Sequence, residues 1–197
     1  MENISLIIAS VVSVVGTIVG IYLKNKLDYN KKNSIENSTV SGVNIYKALE
    51  YLQCETGAAR AYVFEFHNGE HFFSGRGQQK FSCTYEHVKA GVSAEATFSQ
   101  GHRISNFNKY IRSLVEHGKY VSRNVEKIDD EAFKSLLISK GVVALYNVPI
   151  KTLNNKIIGI LGVEYTSPVE EFDFGGRHKD IDRFMRVQAR TISGYLI

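Results

Sequence analysis

Twenty consecutive residues near the start of the chain, Ile4 to Leu23 (ISLIIASVVSVVGTIVGIYL), carry no charge. As a helix this run is roughly 30 Å long, about the thickness of a bilayer's hydrocarbon core. A soluble helix of that length would carry a polar stripe. A cleaved signal peptide would need a basic stretch before the run, and only Met1, Glu2 and Asn3 precede it. The pattern predicts a single uncleaved transmembrane helix over residues 4–23. Lys24, Lys26, Lys31 and Lys32 follow closely. Lysines near a span stay on the cytoplasmic side, so the rest of the chain is expected in the cytoplasm, anchored to the inner membrane. One face of the span is small: Ser5, Ala9, Ser13 and Thr17 recur every fourth position, beside Gly16 and Gly20 in a G-x-x-x-G pair. Small residues let helices approach closely in lipid, so the stripe, if used, predicts a parallel homodimer packed through Ser13, Gly16 and Gly20; the alternative is that glycine and serine are simply tolerated in a span.

Residues 24–39 are rich in Asn, Lys and Ser without apolar periodicity, a polar linker or a frayed helical extension. Residues 40–197 then alternate between two periods. Val43 to Leu52 has helical spacing and is expected to stop near Gly57. Arg60 to His67 alternates aromatic and β-branched residues, a strand, with a turn signal at Asn68-Gly69. Lys80 to Val88 alternates again. Ile104 to Gly118 has helical spacing. Asp129 to Ser139 is a helix with acidic residues in its first turn, stopped at Lys140-Gly141. Val142 to Ile150 and Ile157 to Tyr165 are strands joined by a turn at Asn154-Asn155. Lys179 to Leu196 closes the chain as a helix. Strands joined by tight turns imply an α+β domain with a mainly antiparallel central sheet flanked by helices.

Charge adds little. Leaving out Glu2, Asp28 and the four lysines up to Lys32 takes the net charge from +4 to +2, which gives no footprint for nucleic acid. The two cysteines, Cys54 and Cys83, form no dense disulfide framework.

The segment Phe133 to Tyr165 resembles the C-terminal half of a GAF domain. The residues that carry the likeness are Leu136-Leu137, Gly141-Val142, Val148-Pro149-Ile150, the Leu153-to-Lys156 turn and Ile158-Gly159-Ile160-Leu161-Gly162-Val163, followed by the helix from Lys179. A PAS-like sheet is the nearest alternative. The resemblance implies a GAF-like fold over residues 40–197, ligand binding and dimerisation rather than catalysis, and a pocket in the variable middle, Glu70 to Tyr120. The glycines of the last strand, Gly159 and Gly162, predict close approach by a backbone or a helix.

Candidate chemistry gathers around the first strand. Glu65, His67 and Asn68 leave it, Arg76 stands between two glycines, and Ser82, Tyr85 and Glu86 follow among Phe72, Phe73 and Phe81. Polar groups in aromatic surroundings suit a small polar or planar ligand, and Arg76 offers a bidentate donor to phosphate or carboxylate. The alternative is that the aromatics are core and the polar residues cap a hairpin. His67 to His71 also reads H-x-x-E-H, a zinc-protease pattern that requires a helix, whereas these residues follow a strand. A metal site joining His67 and His71 to Cys83 or His87 is a further possibility. Asp129-Asp130-Glu131 at a helix start favours the helix dipole rather than a metal.

The reading is a membrane-anchored, non-enzymatic GAF-like sensory or regulatory module that binds a small ligand through Glu65, His67, Asn68, Arg76, Ser82, Tyr85 and Glu86. It signals through a dimer or a separate protein partner. Its cofactor is unknown, and no metal and no nucleic acid are expected. The rival is a ligand-free GAF-like scaffold, host or viral, recruiting a protein to the membrane. A remote rival is a metal-dependent hydrolase at His67 and His71.

Overall fold

In a computed structural model the described residues are 2–32, 35–72, 74–75, 77–170, 172 and 180–197, with side chains left out for 2–10, 28–32 and Glu70. The chain divides into two compact units, Met1–Val40 and Ser41–Ile197.

The first unit is helical. Helix α1 runs Glu2–Lys32, and α2, Ile35–Thr56, crosses into the second unit. The residues expected as a polar linker are therefore largely helix, the helical extension of the two alternatives. Helix α2 starts well before Val43. Among the described residues no helix is long and apolar enough to cross a membrane. The apolar run has described side chains only from residue 11 to residue 23, fewer than the roughly 20 a crossing needs. Ser5 and Ala9 lie outside the described side chains. Gly16 and Gly20 face open space, and Thr17 Oγ1 donates to the Ser13 carbonyl (2.9 Å).

Among the described residues the second unit is an α+β domain built on one antiparallel sheet of six strands. They are β1 Arg60–His71, β2 Gly77–Val88, β3 His102–Arg103, β4 Tyr120–Ser122, β5 Ala144–Lys151 and β6 Ile157–Tyr165. Their order across the sheet is β3-β2-β1-β6-β5-β4. The two edge strands are two and three residues long, too short to template pairing with another chain. The central strands are covered on both faces, which is why β5 and β6 read as almost continuous apolar runs.

Strand alternation divides the core in two. Ala61, Val63, Val148, Ile150, Leu161 and Val163 pack on one face against Ile45, Leu49 and Leu52 of α2 and Met185, Ala189 and Ile192 of α5 (Ile181–Leu196). Tyr62, Phe64, Phe81, Leu145 and Ile160 pack on the other face against α3 (Asn108–His117) and α4 (Glu131–Ser139). Helix α3 ends on Gly118 at φ 66°, whose N–H reaches the Leu114 carbonyl at 3.1 Å. Helix α4 stops at Lys140-Gly141 as its sequence predicts, with Gly141 at φ 67°.

The expected turn at Asn68-Gly69 is not there. Strand β1 continues to His71, with a pairing irregularity between Asn68 and His71. Gly69 does not adopt the positive φ that an Asn-Gly hairpin turn requires. Gly75 does, at φ 78°, with its N–H on the Phe72 carbonyl (2.8 Å), so the chain reverses five residues later. The β5–β6 turn falls where expected, with Asn155 at φ 60°.

Candidate functional site

The sequence candidates do not converge on one pocket. Glu65 faces Ser82 across the β1–β2 pair, on the α2 and α5 side of the sheet. His67 is exposed, its Nε2 2.9 Å from Ser82 Oγ, which also accepts the Gly101 N–H (2.8 Å). Tyr85 is half-buried on the same side, edge-on to Tyr46 with ring centroids 5.5 Å apart. Burial, the Glu65 carboxylate and Tyr46 push its phenol up. Asn68 is exposed and accepts from Gln79 Nε2 (3.1 Å). Glu86 lies opposite Tyr62, and its carboxylate holds the N–H groups of Glu95 and Ala96 at 2.7 and 2.9 Å. Arg76 lies outside the described residues. Glu65, His67, Ser82 and Tyr85 thus share one face, whereas Asn68 and Glu86 occupy structural roles elsewhere.

The metal possibilities lose their geometry. His67 and His71 stand on a strand, not on a helix. Cys83 pairs with Phe64 and packs in the core of the opposite face. His87 pairs with Ala61, six residues along β1 from His67 and so about 20 Å away. Among the described residues no three His, Cys, Asp or Glu side chains gather to hold an ion.

The middle of the α3–α4 face is filled. Phe64, Phe81, Phe107 and Phe133 run as a chain of edge-on rings, and Tyr110 stacks on Phe133 with centroids 3.8 Å apart. His102 sits among Phe64, Phe81 and Phe107, and burial, then the nearby Lys140, lowers its pKa. Its Nε2 has no hydrogen-bond partner among the described residues.

Two polar clusters brace this face. Tyr62 Oη donates to Asn147 Oδ1 and Asn147 Nδ2 donates to Tyr110 Oη, both at 2.8 Å. Gly162 lies between Tyr62 and Asn147 in the strand register, and a methyl there would overlap both. The close approach expected at Gly162 therefore comes from neighbouring side chains; at Gly159 it comes from the Phe64 carbonyl. At the start of β1, Arg60 and Glu164, each 1 % exposed, pair at 3.3 Å. Lys140 Nζ reaches the other Glu164 oxygen at 3.2 Å, and Arg60 also binds the Ser93 carbonyl (2.9 Å) and hydroxyl (3.1 Å).

Open space remains beside this packed centre. A cavity of about 220 Å³ lies between α3 and the sheet, lined by Phe66, Gln79, Ile111, Leu114, Pro149 and Ile160, with Ile104, Val115 and Ile157 at its walls. Gln79 is its one side chain with a hydrogen-bonding group. Gln79, Ile104, Ile111, Leu114 and Val115 fall within the Glu70-to-Tyr120 stretch where the resemblance places a pocket, although sequence reasoning named none of them as a site residue. The signal was the apolar triplet Ile111, Leu114 and Val115 at spacings of three and four on an otherwise polar helix, with Val115 still 57 % exposed. A second, polar groove of about 310 Å³ is lined by Lys109, Ser113, Tyr120, Ser122, Lys127 and Asp130. Asp130 is already committed there. Its Oδ2 accepts the N–H groups of Lys109 and Tyr110 (both 3.1 Å) and its Oδ1 that of Phe133 (3.2 Å), so one carboxylate caps α3 and α4 together.

No protein-family profile matches the chain, and no curated protein matches its sequence. Solved structures do. The blue-light absorbing form of the PixJ GAF domain from Thermosynechococcus elongatus aligns over 83 % of this chain and 88 % of its own, at 16 % identity and a TM-score of 0.62. The GAF domain region of a putative membrane protein from Geobacter sulfurreducens aligns over 83 % and 98 %, at 14 % identity and a TM-score of 0.56. A domain of a putative two-component sensor histidine kinase protein from Sinorhizobium meliloti aligns over 84 % and 92 %, at 18 % identity and a TM-score of 0.51. The chain has a GAF-like fold.

Proposed function

We propose that this chain is a membrane-anchored regulatory module that binds a small, largely apolar ligand in the cavity between α3 and the sheet and performs no catalysis. The observation that carries the reading is the cavity itself: apolar walls with one amide, Gln79, to orient a guest. Its volume suits a guest smaller than a nucleotide. The polar ligand first expected at Glu65, His67, Asn68, Ser82, Tyr85 and Glu86 has weaker support, because these residues split between two faces. Membrane anchoring rests on the uncharged run Ile4 to Leu23 and the lysines behind it, which place the domain on the cytoplasmic side. Dimerisation through Ser13, Gly16 and Gly20 would let a ligand-induced movement of α3 and the sheet pass to a partner, provided the ligand binds two states unequally.

Native mass spectrometry of the full chain, released from detergent, tests this directly. A discrete added mass that disappears in Ile111→Trp, where an indole fills the cavity, is the expected result. A clean ligand-free species in both forms would refute ligand binding. It would favour the second reading, a scaffold, which the aromatic filling of the α3–α4 face supports.

A further inference from the structure

Both long hairpins turn at the same end of the sheet. Strand β1 runs antiparallel to β6, with Arg60 opposite Glu164 and Glu65 opposite Gly159, so the β1–β2 and β5–β6 turns leave together. Leu153, at the tip of the β5–β6 turn, is fully exposed, and Phe72, at the start of the β1–β2 turn, is 38 % exposed. Leu153 stands between Thr152 and Asn154, in a turn whose geometry comes from Asn155 and from the Thr152–Lys156 hydrogen bonds. The turn has no use for a leucine. Among the described side chains of the two hairpin ends, residues 65–80 and 150–158, three are lysines (Lys80, Lys151, Lys156) and one is a carboxylate (Glu65).

The chain also enters the domain from this side. Near its C-terminus, α2 meets the opposite end of the sheet, where Tyr165 Oη donates to the Thr56 carbonyl (3.2 Å). Fourteen residues earlier, Gly42 lies beside Tyr85, which pairs with Val63 further along β1 toward the turns. Within the second unit α2 therefore starts toward the hairpin end, and in sequence the uncharged run and its four lysines precede it.

We infer that the hairpin end of the sheet is a membrane-contact surface. Leu153 and Phe72 enter the boundary between headgroups and acyl chains, and Lys80, Lys151 and Lys156 lie against anionic lipid phosphates. The inference rests on the anchored reading above, because an anchored chain keeps the domain close to a bilayer. It goes beyond that reading by giving the globular domain a lipid-facing side.

The chain has no tryptophan, so Leu153→Trp introduces a single indole. The full chain carrying this substitution is reconstituted into phosphatidylcholine vesicles containing phosphatidylglycerol, with or without brominated acyl chains. Ala90→Trp, in the exposed connection after β2 at the far end of the sheet, is the control. Flotation reports the anchor, and bromine quenching reports the hairpin tip. The expected result is flotation of both variants and about twofold quenching of the Leu153→Trp indole, with the Ala90→Trp indole unquenched. Adding Lys151→Glu and Lys156→Glu to Leu153→Trp should bring its quenching down to the Ala90→Trp level. A floated chain whose Leu153→Trp and Phe72→Trp indoles are quenched no more than that of Ala90→Trp overturns the contact surface and leaves the anchor standing. A chain that does not float overturns both.

Discussion

Asn147 is the sharpest place to test the packing argument. It is 1 % exposed, and its amide holds two phenols, accepting from Tyr62 and donating to Tyr110. Asn147→Leu keeps the shape and removes both bonds. Tyr62 is left with an unpaired buried donor and Tyr110 with an unpaired acceptor, at about 1–3 kcal/mol each, so a loss of about 2–6 kcal/mol is expected. Changing the partners as well, in Tyr62→Phe/Tyr110→Phe/Asn147→Leu, removes every stranded group. The triple variant should recover all but about 1 kcal/mol, the residue of imperfect repacking around Gly162. Urea titration of the full chain in detergent, followed by tyrosine fluorescence, gives the ordering through midpoints at constant slope. The reasoning is refuted if the triple variant is no more stable than Asn147→Leu alone, because the loss would then come from shape and not from unsatisfied polar groups.

Asp130→Ala should cost about 2–3 kcal/mol by the same titration, roughly a cap's worth for each of the two helices it serves, whereas Asp129→Ala should be nearly silent. Arg60→Ala leaves Glu164 buried with Lys140 alone and should cost about 3–5 kcal/mol; Arg112→Ala, in an exposed pair with Glu116, should change little. Burial pushes the Cys83 thiol and the Tyr120 and Tyr165 phenols up to about 12 and raises Tyr62, Tyr110 and Tyr146 as well. The fold favours the protonated forms, so their contribution is complete below about pH 9 and is lost as pH climbs toward 12. Phenolate absorbance should therefore rise together with unfolding, and a smooth titration of all eleven tyrosines in the folded state would contradict the burial.

Wherever the period was strong, the fold was legible in the chain. Strand β6 begins and ends where Ile157 to Tyr165 predicts, and α4 stops at Gly141. Asn68-Gly69 misled because pairing resumes beyond it, with His71 opposite Gly77, and Gly75 at positive φ supplies the reversal instead. The edge strands β3 and β4 were invisible because two or three residues have no period. The candidate residues divide between faces for a different reason. Its residues are neighbours in sequence, but successive residues of a strand point to opposite faces, so Glu65 and His67 part from Asn68, and Ser82 parts from Cys83. Conversely, Tyr62, Tyr110, Asn147 and Gly162 are far apart in sequence and adjacent in space. Two oddities hinted at them: a lone amide in the apolar strand VVALYNVPI, and a glycine in the middle of β6.

The buried Arg60–Glu164–Lys140 cluster fastens the long connection between β2 and β3 to the domain through Ser93. Ions in solution do not reach it, because charges withdrawn from water are screened far less than those in it. A lysine on the surface, such as Lys156, is fully subject to that screening, with a Debye length of about 10 Å at 0.1 M salt. Ionic strength therefore acts on this molecule selectively: rising salt leaves the connection fastened while loosening whatever the exposed hairpin lysine holds.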